Sequence, residues 1–265
     1  MTAQDSCSSQ PADRHRARQP QPGTVRDPQV GIKAVFFDAA GTLLRVARPV
    51  GHAYAAKAAR YGVDTDPDAL DGAFVRIWKA RCSPNGTTSS FPTSEDAEHD
   101  WWCSIVREVF EAVGALKRFG GQFEPYFDDV YEHFAQPAAW HVFEDVRPTL
   151  DALAGRGVRS AVVSNWDSRL PRLLKALGLG ARFEFVLTSA EAGYRKPDAA
   201  IFRCALAQMG LSPREAIHVG DSVAEDVAGA RNAGITPILL RRSGDAVEGV
   251  ITIGQLTEVT RHLGH

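Results

Sequence analysis

Cysteine is scarce in this sequence and never clustered. Cys7, Cys82, Cys103 and Cys204 stand far apart and form no C-x-x-C or Cys/His group, which argues against structural zinc or a disulfide framework. Long hydrophobic runs are lacking too. No apolar stretch approaches the ~20 residues needed to cross a bilayer, and the N-terminus has no hydrophobic segment to serve as a secretory signal. A cytoplasmic, unexported protein is the expectation. Neither sign of charge prevails: 30 Lys and Arg stand against 32 Asp and Glu, for a net charge of -2. Without a broad field of one sign there is no basis for expecting nucleic acid or an anionic membrane as partner, and a small-molecule substrate is expected instead. Residues 1–29 nearly lack large apolar side chains and are rich in Pro, Gln, Ser, Arg and Asp. Such a segment does not offset the entropy cost of ordering, and it is expected to be a disordered tail.

What the sequence does have begins at Ile32, where an apolar run ends at Asp38 and a glycine turn. That pattern predicts a buried strand whose tip carries a carboxylate. Similar runs follow at 160–163 ending at Ser164, at 183–187 ending at Thr188, and at 216–219 ending at Gly220-Asp221; a further strand is expected at 235–240. Helical stretches at 149–156, 170–177, 200–209 and 224–232 separate them. Strands alternating with helices imply an α/β fold, a Rossmann-like parallel sheet covered by helices on both faces.

Between Pro49 and Ala135 the strand signals stop. Pro49 starts one helix that Gly62 ends, Asp66-Pro67 starts a second running to about Ala80, Thr93-Ser94 with Asp96 caps a third through Val113, and 123–134 forms a fourth. The stretch 83–90 reads as a loop. The expected organisation is thus a core of residues 30–46 and 140–265 with an inserted α-helical cap at 47–139.

The candidate chemistry lies at the strand tips. Asp38 ends the first strand, where open α/β sheets place their ligands, and Gly41-Thr42 turns the chain beside it. Taken alone, this fits an Asx turn equally well. Ser164 offers a hydroxyl, Lys196 before Pro197 a positive charge, and Asp221 and Asp226 two carboxylates after a later strand. Together, the segments 37–43 (FDAAGTL), 163–165 (VSN), 194–198 (YRKPD) and 220–226 (GDSVAED) resemble the four motifs of the haloacid dehalogenase-like hydrolase superfamily. The resemblance spans about residues 32–240 and implies a helical cap inserted after the first motif. It also implies Asp38 as nucleophile, with Lys196, Thr42 and Ser164 assisting and Gly41 and Asn165 beside the substrate. Mg²⁺ would be held by Asp38, the Ala40 carbonyl and Asp221, with Asp226 as a direct or indirect support. Ser164, Asn165 and Asp167 have the alternative of capping the next helix, Lys196 of a loop charge, and Asp226 of decorating a helix.

One position departs from the pattern. The family's phosphatases carry an aspartate two residues after the nucleophile, as the acid that protonates the leaving group. Here that residue is Ala40, and a lost acid-base group typically costs ~10² to 10⁴ in rate. A phosphatase-like hydrolase then needs a stable leaving group or a donor from the cap, such as His52, Lys57 or His99. The alternatives are a phosphonoacetaldehyde hydrolase-like enzyme with Lys57 or Lys79 as a Schiff base, a 2-haloacid dehalogenase-like enzyme, and a low-turnover ligand-binding protein. Trp78, Trp101, Trp102 and Trp140 are expected as core packing or as the lining of a cap pocket. His218 is expected to be a satisfied core histidine.

Overall fold

The computed structural model describes residues 31–82 and 94–264, so the expected N-terminal tail and the loop at 83–90 lie outside the described residues. The chain begins with β1 (Ala34–Phe37) and β2 (Leu44–Val46). Four helices follow: α1 (Val50–Ala59), α2 (Pro67–Cys82), α3 (Glu95–Ala112) and α4 (Phe123–Ala135). β3 (Trp140–Val142) returns the chain to an alternating series of α5 (Val146–Ala154), β4 (Arg159–Ser164), α6 (Leu170–Ala176), β5 (Val186–Thr188), α7 (Ser189–Ala192), α8 (Ala199–Met209), β6 (Ala216–Gly220), α9 (Ala228–Asn232), β7 (Thr236–Leu240) and β8 (Ile251–Ile253).

Six strands pair in the order β5-β4-β1-β6-β7-β8, each parallel to its neighbours. From β1 the chain builds outward first through β4 and β5, then on the other side through β6, β7 and β8. The carboxyl end of β1 therefore faces the crevice where the strand order reverses, the usual place for a ligand in an open α/β sheet. Both faces of β1 are buried, which is why its sequence is continuously apolar. Val35 and Phe37 join one cluster with residues of α5 and α6, while Ala34 and Phe36 join another with residues of α8.

The expected strands and helices occur with shifted ends. β5 starts at Val186 because a tight turn at Gly180–Arg182 delivers Phe183 into the core. The helix expected over 224–232 differs more. Val223–Val227 form one turn of π-helix before α9, with Asp226 N and Val227 N both donating to the Ser222 carbonyl. β8 and the two-stranded ribbon of β2 and β3 were not expected, since three-residue strands are too short to show a period.

Helices α1–α4 bury their own core, centred on Tyr54, Phe110, Phe119 and Tyr126. The ribbon pairs Leu44 with Val142 and Val46 with Trp140, so both ends of the helical insertion leave the sheet side by side. Within the insertion, Gly51 lets α1 lie against the start of α2. Its N–H donates to Asp71 Oδ1 at 3.0 Å, and a β-carbon there would fall 2.2 Å from Asp71 N and 2.3 Å from the Pro67 carbonyl oxygen. Both obstacles are backbone, so the helices must separate to admit even a methyl group. Gly51→Ala is predicted to lower stability by about 1–3 kcal/mol, the usual range for overpacking, as measured by urea unfolding. An unchanged midpoint would contradict this packing.

Candidate active site

The loop after β1 is fixed at both ends. Asp38 N donates to the Val219 carbonyl of β6 at 2.9 Å, and Leu43 N and Leu44 N both donate to the Ala39 carbonyl. Gly41 takes φ +82°, a conformation costly for other residues, and a β-carbon there would lie 2.1 Å from Asp221 Oδ2. Glycine is thus required by its backbone and by the carboxylate over it. Thr42 is fully buried under the loop. Its hydroxyl has no hydrogen-bond partner among the described residues, and its carbonyl accepts from Arg242 Nη2 at 2.9 Å.

The ends of β1, β4 and β6 meet the segment before α8 around one ammonium group. Lys196 is 1% exposed, and its Nζ donates to Asp38 Oδ1 and Asp226 Oδ1, each at 2.6 Å. Ser164 Oγ donates to the same Asp38 oxygen at 2.9 Å. Both bonds fall on Oδ1, leaving Oδ2 as the Asp38 oxygen that neither group engages. Burial alone would depress the lysine pKa, but Asp226 and Asp38 outweigh it and hold Lys196 above the ordinary lysine value. Burial raises the Asp38 carboxyl, and Asp226 adds to that effect against the opposing pull of Lys196. Asp226 goes the other way. Burial would raise it, yet Lys196 and the hydrogen bond from His218 keep it below the usual carboxylate range.

Asp226 has little to offer beyond these partners. Its Oδ1 meets Lys196 and His218 Nε2 (2.8 Å), and its Oδ2 accepts from Ser222 N at 3.0 Å. The π-helical turn brings it inward to make those contacts, in keeping with the tendency of such turns to occur at functional sites. Asp221 is exposed instead, at the rim over Gly41. Its carboxyl is pushed up to about 7 by partial burial and by Asp38 and Asp226 nearby.

Oxygens of Asp38, Asp221 and Asp226 lie within 4.8 Å of one another. Three carboxylates around one ammonium leave an excess of negative charge, and their oxygens are hard donors of the kind that suit a small divalent cation. The residues present therefore fit a metal such as Mg²⁺, with Asp38 and Asp221 better disposed as ligands than the fully engaged Asp226. Asn165 holds the lysine's peptide. Its Oδ1 accepts from Lys196 N (2.7 Å) and its Nδ2 donates to the Lys196 carbonyl (3.0 Å), so the side chain expected beside the substrate pins the lysine's peptide.

A family model described as haloacid dehalogenase-like hydrolase matches residues 32–234. The chain belongs to the haloacid dehalogenase-like hydrolases. It is 37% identical over 211 residues to haloacid dehalogenase-like hydrolase domain-containing protein 3 of Bos taurus, covering 79% of this chain and 82% of that protein. It is 33% identical over 164 residues to a phosphoserine phosphatase of Thermus thermophilus, covering 60% of this chain and 65% of that one. Among solved structures, the phosphatase of the same superfamily from Thermococcus onnurineus superposes with a TM-score of 0.61 at 26% identity, over 88% of this chain and 98% of the other.

In this hydrolase a chamber of about 440 Å³ lies between the core and the helical cap, with Ala40, Gly41 and Asn165 at its core end. Of the four tryptophans weighed from the sequence, Trp78, Trp102 and Trp140 line it, while Trp101 packs inside the helical core. Trp166, Phe134 and Tyr131 also line it and were missed, because which face a ring presents depends on packing that no local pattern encodes. None of His52, Lys57, Lys79 and His99 is on its wall; His52 and His99 bond instead to Asp68 and Asp128. Asp167 accepts from Arg169 N at 3.0 Å, a local turn at the entry to α6, and also pairs with the Arg169 side chain. His218 is only half satisfied. Its Nε2 meets Asp226 while Nδ1 has no partner among the described residues, and burial keeps its pKa below the ordinary histidine value. Arg242 gave no signal in the sequence, yet it ties Thr42 to Asp145 across the fold.

No helix among the described residues is long and apolar enough to cross a membrane. Removing the buried ammonium with Lys196→Met leaves Asp38 and Asp226 facing each other uncompensated. That variant is predicted to lose about 3–5 kcal/mol in urea unfolding with EDTA present, the cost of breaking a buried ion pair. A loss under ~1 kcal/mol, as for a surface pair, would contradict the arrangement.

Proposed function

We propose that the chain is a phosphatase-type hydrolase acting on a small phosphorylated molecule through a covalent aspartyl-phosphate at Asp38, with residues 47–139 as a cap over a core of 30–46 and 140–265. The observation that carries this reading is the convergence of Lys196 and Ser164 on one oxygen of Asp38. Fixing Oδ1 from two sides orients the carboxylate and leaves Oδ2 available to attack phosphorus in line. Lys196 supplies fixed positive charge next to the developing negative charge of the transferring group. Asp226, His218 and Asn165 act at one remove, by holding that ammonium in place.

Asp38 and Asp221 would hold Mg²⁺, together with the Ala40 carbonyl, and Asp226 would support them. When bound, the cation supplies charge that favours ionised Asp38 and offsets repulsion between the carboxylate and an anionic substrate. Ala40 brings no proton to the leaving group. Among the described residues the chamber wall carries no lysine, which deprives the phosphonoacetaldehyde hydrolase-like route of its Schiff base, and neither His52 nor His99 stands there as a replacement acid. Hydrolysis is therefore expected to favour substrates whose leaving group departs without help.

Phosphate release from simple alkyl phosphomonoesters tests this reading. With Mg²⁺ present, Asp38→Asn should abolish turnover, and EDTA should do the same to the wild type. Ala40→Asp should raise kcat on alkyl esters by on the order of 10², the lower part of the range for a positioned acid. Residual turnover by Asp38→Asn, or no gain from a well-folded Ala40→Asp, would count against it.

A further inference from the structure

We infer that the substrate is an aryl phosphate, a phosphomonoester of a phenol whose ring occupies the cap chamber. This rests on the phosphatase reading above and on two observations that are independent of each other.

The first is the character of the chamber. Phe74, Trp78 and Trp102 form one wall as a continuous stack, with centroids 6.0 and 5.3 Å apart and interplanar angles of 26° and 13°. Phe134, Trp140 and Trp166 add further ring surface. At about 440 Å³ the space falls within the range of about 300–1,000 Å³ typical of small-molecule sites. Its charged side chains are Arg45, Asp167 and Arg169, and the last two spend their charge on each other. Arg169 also donates through Nη1 to the Tyr131 carbonyl, and its guanidinium carbon sits 3.4 Å from the Tyr131 ring centroid. Asn165, at the core end, has both amide atoms bonded to the Lys196 peptide. Arg45 is exposed on β2. Sugar or polyol hydroxyls brought in here would lose water without gaining enough partners, and a second anionic group would meet in Arg169 a guanidinium already paired, with the exposed Arg45 outside the stacked wall. A flat apolar ring fits the stacked wall, where ring–ring contact adds to simple burial.

The second observation is Ala40. An alkyl ester must expel an alkoxide nearly as basic as hydroxide, whose conjugate acid has a pKa of about 15.7 in water. A phenol ionises at about 10, so its anion leaves without a protein acid. Ala40, at the core end of the same chamber, offers a methyl group and no proton. One substrate class satisfies both features.

In the first step a carboxylate oxygen of Asp38 bonds to phosphorus as the phosphorus–aryl oxygen bond breaks. The bonding pair leaves with the aryl oxygen, and the aryloxide takes its proton from solvent. Water then bonds to phosphorus as the bond to Asp38 breaks, its proton passes to solvent, and inorganic phosphate and the Asp38 carboxylate are regenerated.

The test uses the full chain with Mg²⁺ and four compounds: 2-naphthyl phosphate, 2-(2-naphthyl)ethyl phosphate, glycerol 3-phosphate and acetyl phosphate. The aryl ester is expected to exceed glycerol 3-phosphate in kcat/KM by about 10³-fold. The naphthylethyl ester, with the ring but an alkyl leaving group, should compete with the aryl ester at similar concentration yet turn over at least about 10²-fold more slowly, as expected without an acid. Trp102→Leu, which keeps the site apolar but removes the stacking surface, should raise KM for the aryl ester and lower its preference over acetyl phosphate. Comparable kcat/KM for the aryl and glycerol esters, or hydrolysis of acetyl phosphate alone, would overturn the inference while leaving the phosphatase reading intact. Failure of all four to release phosphate would remove that reading and the inference with it.

Discussion

An ammonium group shut away from water between two carboxylates is the contact on which the candidate site depends. Placing Lys196 in the interior would be prohibitively costly for an unpaired charge, and Asp38 and Asp226 offset that cost only because both stand within hydrogen-bond reach. Each partner is in turn held by something else. Asp38 is tied to β6 through its backbone and to Ser164 through its side chain, Asp226 to His218 and the Ser222 N–H, and the lysine peptide to Asn165. The tips of β1, β4 and β6 and the segment before α8 are thereby locked into one geometry. The unusual π-helical turn follows from the same requirement, since it carries Asp226 inward to the ammonium.

Around that fixed centre the remaining charge is unbalanced, and the imbalance bears on function. Asp221, over Gly41, is the acid of the group not bonded to the lysine, and burial together with the nearby Asp38 and Asp226 raises its pKa. The other side of the site is the reverse in character. Cap helices and the β2–β3 ribbon enclose aromatic walls, and the charges of Arg169 and Asp167 there are paired with each other. In the proposed reading, a polar centre suited to a cation beside an apolar chamber would divide the handling of an anionic reacting group from the recognition of the rest of the molecule.

Much of this arrangement was legible in the sequence, for a definite reason. Asp38, Ser164 and Asp221 each stand at or just past the end of an apolar run, so the strand pattern alone brings them to one edge of the sheet. Lys196 and Asp226 were found through the motif resemblance, and the four segments do converge. What escaped notice depends on tertiary packing. The Arg242–Asp145 pair joins segments 97 residues apart, and three-residue strands such as β2, β3 and β8 have no periodicity to detect. The bonds of the Asn165 amide to a peptide 31 residues away have no local feature to reveal them. The rings of Trp78 and Trp101 could not be told apart until the rotation of α2 and α3 was known, for one faces the chamber and the other the helical core.

The central claim is that phosphorus bonds covalently to one side chain. Borohydride added during steady-state turnover reduces an aspartyl-phosphate to homoserine, which peptide mass analysis can locate. The account predicts homoserine at position 38, only when substrate is present and not in the Asp38→Asn variant. Sustained phosphate release with position 38 recovered solely as aspartate, or with the modification on another residue, would contradict it.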